Sequence, residues 1–217
     1  MDEQRSTMTV AVGDAQLTAD LMFPAQPIGV VLFAHGSGSS RHSPRNVAVA
    51  RTLNDSGLGT VLADLLTPAE DEVDARTAEL RFDIGLLASR LVGIVDWLAV
   101  ERPAGDVPIG LFGASTGAAA ALVAAASRAD RVRAVVSRGG RPDLAGDALA
   151  QVRTPTLLLV GGLDEEVITL NERALAELGT VGQLQVVPGA THLFEEPGTL
   201  EQVADQAGAW FSSHLRR

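Results

Sequence analysis

The chain is expected to form an α/β fold, a mainly parallel sheet of about seven to eight strands with helices on both faces. Three observations point there. Short runs of strand length recur along the sequence: IGVVLF at 28–33, GTVLAD at 59–64, VPIGLF at 107–112 and PTLLLV at 155–160. The most apolar of these read as strands covered on both faces. Segments of helical spacing separate them, the pattern of parallel strands joined by helical crossovers. Finally, 46% of the 217 residues are hydrophobic. That is enough for one large core, so one domain spanning 1–217 is expected.

Taken in order, the runs 9–12 and 16–21 flank Gly13-Asp14, which predicts an antiparallel hairpin. The strand at 28–33 follows and ends in His35-Gly36-Ser37-Gly38. Helical spacing then covers 44–53. After the strand at 59–64, residues 65–74 are acidic and contain Pro68, and a surface loop is expected. A long helix is read over 75–100, with Leu80, Ile84, Leu87, Leu91, Ile94 and Leu98 on one side. Pro103 ends it. The strand at 107–112 runs into Gly113-Ala114-Ser115-Thr116-Gly117 and an Ala-rich helix over 118–127. Strands at 132–137, 155–160 and 184–187 alternate with helices at 167–178 and 199–215. The connection 138–153 is short, so no cap domain is expected there.

Composition narrows the function classes. A net charge of −10 disfavours nucleic acid and acidic membrane faces as partners. No cysteine is present, so disulfides and thiolate metal sites are excluded. This suits a reducing compartment, and a cytoplasmic location is expected. Residues 1–9 are polar and lack the apolar core of a leader. No apolar run nears the roughly 20 residues of a membrane span. The four histidines, His35, His42, His192 and His214, show no H-x-x-x-H or H-E-x-x-H spacing. Neither a metal nor any other cofactor is therefore expected. Gly36-Ser37-Gly38 lacks the third glycine of a dinucleotide loop.

The segment 113–117 fits G-x-S-x-G. A serine between strand and helix must occupy a very tight turn to project its hydroxyl from the sheet edge. Glycines two residues either side remove the Cβ atoms that would collide there. The bland alternative is an ordinary turn with Ser115 as a helix cap. A serine also needs a base. His192 follows the strand at 184–187 through Pro188-Gly189-Ala190-Thr191, beyond a strand's carboxyl end, as Ser115 is. His35 is better suited to orienting its loop, His42 lies in a polar loop, and His214 ends the last helix beside Arg216 and Arg217. An acid must hold the imidazole. Asp164 follows the strand at 155–160 through Gly161-Gly162-Leu163. Glu165 and Glu166 are rivals, better read as acids in a helix's first turn; Asp64 and Asp143 are more distant ones. The three groups occur in the order Ser, Asp, His.

With these segments the chain resembles the α/β-hydrolase superfamily over nearly its whole length. The resemblance rests on HGSGS at 35–39, GASTG at 113–117, GGLDEEV at 161–167 and GATHLFEEPG at 189–198. Small size and lack of a cap look most like the dienelactone-hydrolase-related group. One departure matters: true dienelactone hydrolases use cysteine as nucleophile, and this chain has none. The serine looks more like an esterase, so the particular lactone of that family is not carried over.

The resemblance implies Ser115 as nucleophile, Asp164 as acid and His192 as base. It implies an oxyanion hole from the backbone N–H groups of Thr116 and Ser37, with Gly38 the runner-up to Ser37. Arg138 and Arg141 lie just past a strand end. They suit a substrate carboxylate or phosphate, though an ion pair with one of the many acids is the favoured reading. The loop around Phe194 is expected to shape the pocket. The expected activity is cleavage of a small carboxylic ester or lactone through an acyl-enzyme. The alternatives are acyl transfer, thioester or amide hydrolysis with the same residues, and a catalytically silent binding protein on the same scaffold.

Overall fold

The computed structural model describes residues 4–101 and 103–216. Residues 1–3 of the polar N-terminal stretch, and Arg217, lie outside the described residues. Eight strands form one sheet in the order β1-β2-β4-β3-β5-β6-β7-β8. β1 (Gln4–Val12) and β2 (Ala15–Phe23) make the predicted hairpin, with Val12 opposite Ala15 across the Gly13 turn. β2 also runs antiparallel to β4 (Gly59–Ala63). From β4 onward the sheet is parallel, through β3 (Val30–Ala34), β5 (Ile109–Ala114), β6 (Val132–Arg138), β7 (Thr156–Gly161) and β8 (Gly182–Val187).

Central strands β3, β4 and β5 are buried at every position, because helices cover both faces. One face packs against α3 (Ile84–Glu101) and α4 (Thr116–Ser127), through Leu87, Leu91, Ile94 and Leu122. The other packs against α1 (Pro44–Asp55) and α6 (Thr199–His214), through Leu53, Phe112, Ala207 and Phe211. Six of the nine buried residues of α4 are alanine. Small side chains let its backbone approach the sheet closely, which a serine at its start requires.

Two expectations fail in one stretch. Residues 65–74 are not a loop, and 75–100 is not one helix. α2 (Pro68–Thr77) begins inside the acidic segment. Thr67 Oγ1 accepts from the Glu70 amide (3.2 Å) while Glu70 Oε2 accepts from the Thr67 amide (2.7 Å). This capping box, with Pro68 in the first turn, starts a helix despite the charge. Ala78 then turns left-handed at φ 56°, and a 3₁₀ turn at Leu80–Phe82 precedes α3. Asp83 Oδ1 accepts from the Leu86 amide (2.9 Å) and so starts α3 afresh. The apolar spacing from Leu80 to Leu98 stays in phase across the break, which is why it read as continuous.

The connection after β6 is a kinked 3₁₀ stretch, Pro142–Gln151, and no cap domain rises over the sheet among the described residues. α5 (Glu165–Glu177) joins β7 to β8. Among the described residues no helix is long and apolar enough to cross a membrane.

Candidate active site

Parallel strands end together, so the loops after β3, β5, β7 and β8 share one rim of the sheet. Ser115 follows β5 with φ 51° and ψ −122°. A side chain there costs on the order of 1–3 kcal/mol unless its surroundings enforce it. The neighbouring glycines show the enforcement. A Cβ on Gly113 would lie 2.7 Å from the Ala118 nitrogen and from the Gly117 carbonyl oxygen. One on Gly117 would press on the Ala34 carbonyl and lie 2.5 Å from that of His35. Although Ser115 precedes α4, its hydroxyl makes no cap hydrogen bond. The bland reading of this serine as a helix cap therefore fails.

His192 and Asp164 meet: His192 Nδ1 is 2.6 Å from Asp164 Oδ2. Their loops are tied along the backbone. The Leu163 amide donates to the Ala190 carbonyl (2.9 Å) and the Gly162 amide to the Val187 carbonyl (2.8 Å). Gly161 permits the approach, since a Cβ there would lie 2.5 Å from the carbonyl oxygens of Ala190 and Thr191. Bound to Asp164 through Nδ1, the ring has Nε2 free for a second partner. The ring lies against Gly139, whose added Cβ would be 3.6 Å from His192 Cε1. Gly139 follows Arg138, whose carbonyl accepts from the Ser115 amide (3.2 Å). No direct hydrogen bond joins Ser115 to His192 among the described residues. The His192 side chain is 38% exposed, so the ring has room to turn, and such contacts commonly tighten when substrate binds.

The rival groups are engaged elsewhere. Asp64 pairs with Arg41, Asp143 with Arg141, and Glu165 and Glu166 occupy the first turn of α5. His42 Nδ1 lies 3.8 Å from Asp20. His214 Nδ1 contacts the Trp210 carbonyl at 2.8 Å. His35 accepts from the Leu65 amide through Nε2 (3.2 Å), so Nδ1 carries the proton and faces the Gly36 carbonyl at 3.0 Å. Burial lowers its pKa, against the raising effect of that carbonyl. It is a neutral tether between the β3 loop and the segment after β4.

That loop abuts the serine. A Cβ on Gly36 would lie 3.1 Å from Ser115 Cβ. The Ser37 amide, expected to face the substrate, donates instead to Thr116 Oγ1 at 2.9 Å. Gly38 is left-handed at φ 67°, and the Arg81 guanidinium leans on it, 3.2 Å from where its Cβ would be. Asp74 aims that guanidinium. It accepts from the Arg81 amide (2.9 Å) and from Nε (2.6 Å). Burial favours the neutral acid, but these bonds outweigh it and hold the Asp74 pKa below its ordinary value. Neither residue stood out in the sequence. Their seven-residue spacing looks like a shared face of one helix, whereas the pair spans a break.

Arg138 departs from the favoured ion-pair reading. It is 7% exposed and has no carboxylate partner among the described residues. Nη2 reaches Asn46 Oδ1 at 3.4 Å, and Nε and Nη1 are unsatisfied. Burial, with Arg45 nearby, pushes its pKa down to about 10. Arg141 does follow the ion-pair reading, donating to both Asp143 oxygens at 2.9 and 2.8 Å. Phe194 is 2% exposed, with φ 55°. It anchors the His192 loop in the core. A cavity of about 800 Å³ opens beside the β3 loop, lined by Gly38, Ser39, Arg41, Asp64, Pro68 and Arg81.

The model of the alpha/beta hydrolase fold family matches residues 29–180. The chain belongs to the α/β-hydrolase family. Within it, the chain falls in the dienelactone-hydrolase-related group. The crystal structure of a dienelactone hydrolase from Anabaena variabilis is 56% identical, covers 99% of both chains and superposes with a TM-score of 0.97. Est1E from Butyrivibrio proteoclasticus, 18% identical over 96% of this chain and 98% of its own, has a TM-score of 0.79 and shares the fold. Two Mycobacterium tuberculosis strains, CDC 1551 / Oshkosh and H37Rv, each have a relative 58% identical over 206 residues, named "Putative phosphoribosyl transferase". The match takes up 95% of this chain and 46% of theirs, so the chain spans about half the length of those relatives.

Proposed function

We propose that residues 1–217 act as one domain, a serine hydrolase that cleaves a small carboxylic ester or lactone through an acyl-enzyme. The supporting observation is the strained, uncapped Ser115 on the rim that also carries the Asp164–His192 pair. In this reading His192 Nε2 takes the Ser115 proton as Oγ attacks the carbonyl carbon. Negative charge gathers on the carbonyl oxygen beside the Thr116 amide and the loop that carries Ser37. Asp164 stabilises the imidazolium without taking its proton. His192 then protonates the leaving alcohol. Water, deprotonated by the same ring, attacks the acyl carbon and releases the acid and free Ser115.

The transferase name of the mycobacterial relatives is not carried over. This chain corresponds to less than half of those proteins, and the hydrolase model accounts for residues 29–180 of it. The test is Ser115→Ala with p-nitrophenyl acetate and butyrate. Turnover is expected to fall by at least about 10³-fold, on the scale of losing a nucleophile in related chemistry. A variant as active as the parent would refute the assignment.

A further inference from the structure

Two facts about Thr116 do not fit a residue that lends only its backbone. Its side chain is 4% exposed at the foot of the nucleophile turn, and its Oγ1 is the acceptor for the Ser37 amide at 2.9 Å. A threonine hydroxyl has one proton to give and two lone pairs to receive with. The Ser37 amide takes one lone pair. Among the described residues no group accepts the hydroxyl proton. A buried hydroxyl with a spare donor is costly unless something arrives to take it. The Ser37 amide also cannot face a substrate oxygen fully while it is given to Thr116.

We propose that the Thr116 hydroxyl is itself an oxyanion donor, driven by the Ser37 amide. The inference rests on the serine-hydrolase reading above. As Ser115 Oγ bonds to the carbonyl carbon, the carbonyl π electrons move onto oxygen. Thr116 Oγ–H then turns its hydrogen toward that oxygen while still accepting from Ser37. No proton changes owner: the only one transferred goes from Ser115 to His192. The amide N–H polarises the hydroxyl, and hydrogen bonds in such a chain strengthen one another. The charge is thus met by the Thr116 amide directly and by Ser37 through the threonine oxygen. Local rigidity supports this. Gly36 and Gly117 allow the β3 loop and the nucleophile turn to touch along their backbones, and His35 pins the loop from behind. The two donors therefore keep their separation during reaction and need little reorganisation.

Three variants test this: Thr116→Ser, Thr116→Ala and Thr116→Val. For each, kcat and KM are measured with p-nitrophenyl butyrate, together with inhibition by an alkyl trifluoromethyl ketone, whose hemiketal oxyanion mimics the intermediate. Thermal melting confirms that each is folded. Thr116→Ser keeps the hydroxyl and is expected to stay within about 3-fold of the parent in kcat. Thr116→Ala and Thr116→Val are expected to lose roughly 10²-fold in kcat, the scale of one oxyanion donor. Their KM should be nearly unchanged, and ketone affinity should fall in proportion to kcat/KM. A folded Thr116→Ala or Thr116→Val at or above parental kcat would overturn the proposal, because the hydroxyl would then merely occupy the Ser37 amide. A Thr116→Ser as impaired as Thr116→Ala would also overturn it, pointing to the methyl group and packing. Ser115→Ala separates the two claims. If it keeps turnover, the hydrolase reading falls. If it loses turnover while the Thr116 series stays flat, only the present inference falls.

Discussion

Gly117→Ala is a sharp test of how the nucleophile turn is built. The added methyl would press on the Ala34 carbonyl and sit 2.5 Å from that of His35. Carbon–oxygen contacts normally settle at about 3.3–3.6 Å, so roughly 0.8 Å must open between α4 and the end of β3. Both neighbours are backbone and cannot swing aside. Overpacking of this kind costs about 1–3 kcal/mol. With a urea slope of about 2 kcal/mol per M, the unfolding midpoint should fall by roughly 0.5–1.5 M. The displaced segment carries Ser37 and adjoins Ser115, and a 1 Å misplacement near the chemistry can cost on the order of 10²-fold in rate. Gly189→Ala is the control. Its φ is +74°, but nothing lies within 4 Å of the added Cβ. Only the left-handed backbone penalty of about 1–2 kcal/mol applies there. Urea unfolding and ester turnover are measured on both. A Gly117→Ala with parental midpoint and kcat would contradict the close packing described here.

Asp164→Asn should lower kcat by about 10³–10⁴-fold with little change in KM, as an amide cannot hold the correct tautomer or balance the imidazolium. A loss below about 10-fold in steady-state kinetics would remove Asp164 from the catalytic group. The acid limb of stability should depend on Asp74 and Glu70. Both have folded-state pKa values below their ordinary 3.8 and 4.5. Burial opposes the lowering at each. Hydrogen bonds from Arg81 and Leu80 at Asp74, and from Thr67 and Arg90 at Glu70, outweigh it. Their stabilisation is complete above the unfolded values and disappears as pH falls through the folded ones. Urea midpoints followed from about pH 6 downward should fall more steeply for the parent than for Asp74→Asn, the two converging in acid. Parallel curves would contradict the linkage.

Much of this architecture was legible because strand and motif signals reinforce each other. The run IGVVLF needs cover on both faces and ends in the loop that abuts Ser115. The glycines of GASTG and GGLD are where backbone meets backbone, so their positions carried three-dimensional information. What escaped reading was capping and side-chain pairing. Thr67, Pro68 and Glu70 form a helix-start signal that the surrounding charge obscured. The break at Ala78 leaves no trace in apolar spacing, since Leu80 and Ile84 keep phase with α3. Arg138 found a neutral amide in place of a carboxylate because Asn46, 92 residues away, is what the fold places beside it. The engagement of the Ser37 amide by Thr116 depends on one side-chain rotation, which no spacing rule reports.

Treatment with a fluorophosphonate followed by crystallography of the adduct addresses the main claim directly. Phosphorus is predicted on Ser115 Oγ, with its oxygen toward the Thr116 amide and hydroxyl and His192 Nε2 turned toward the modified serine. An unmodified Ser115, or phosphorus on another side chain, would contradict the account.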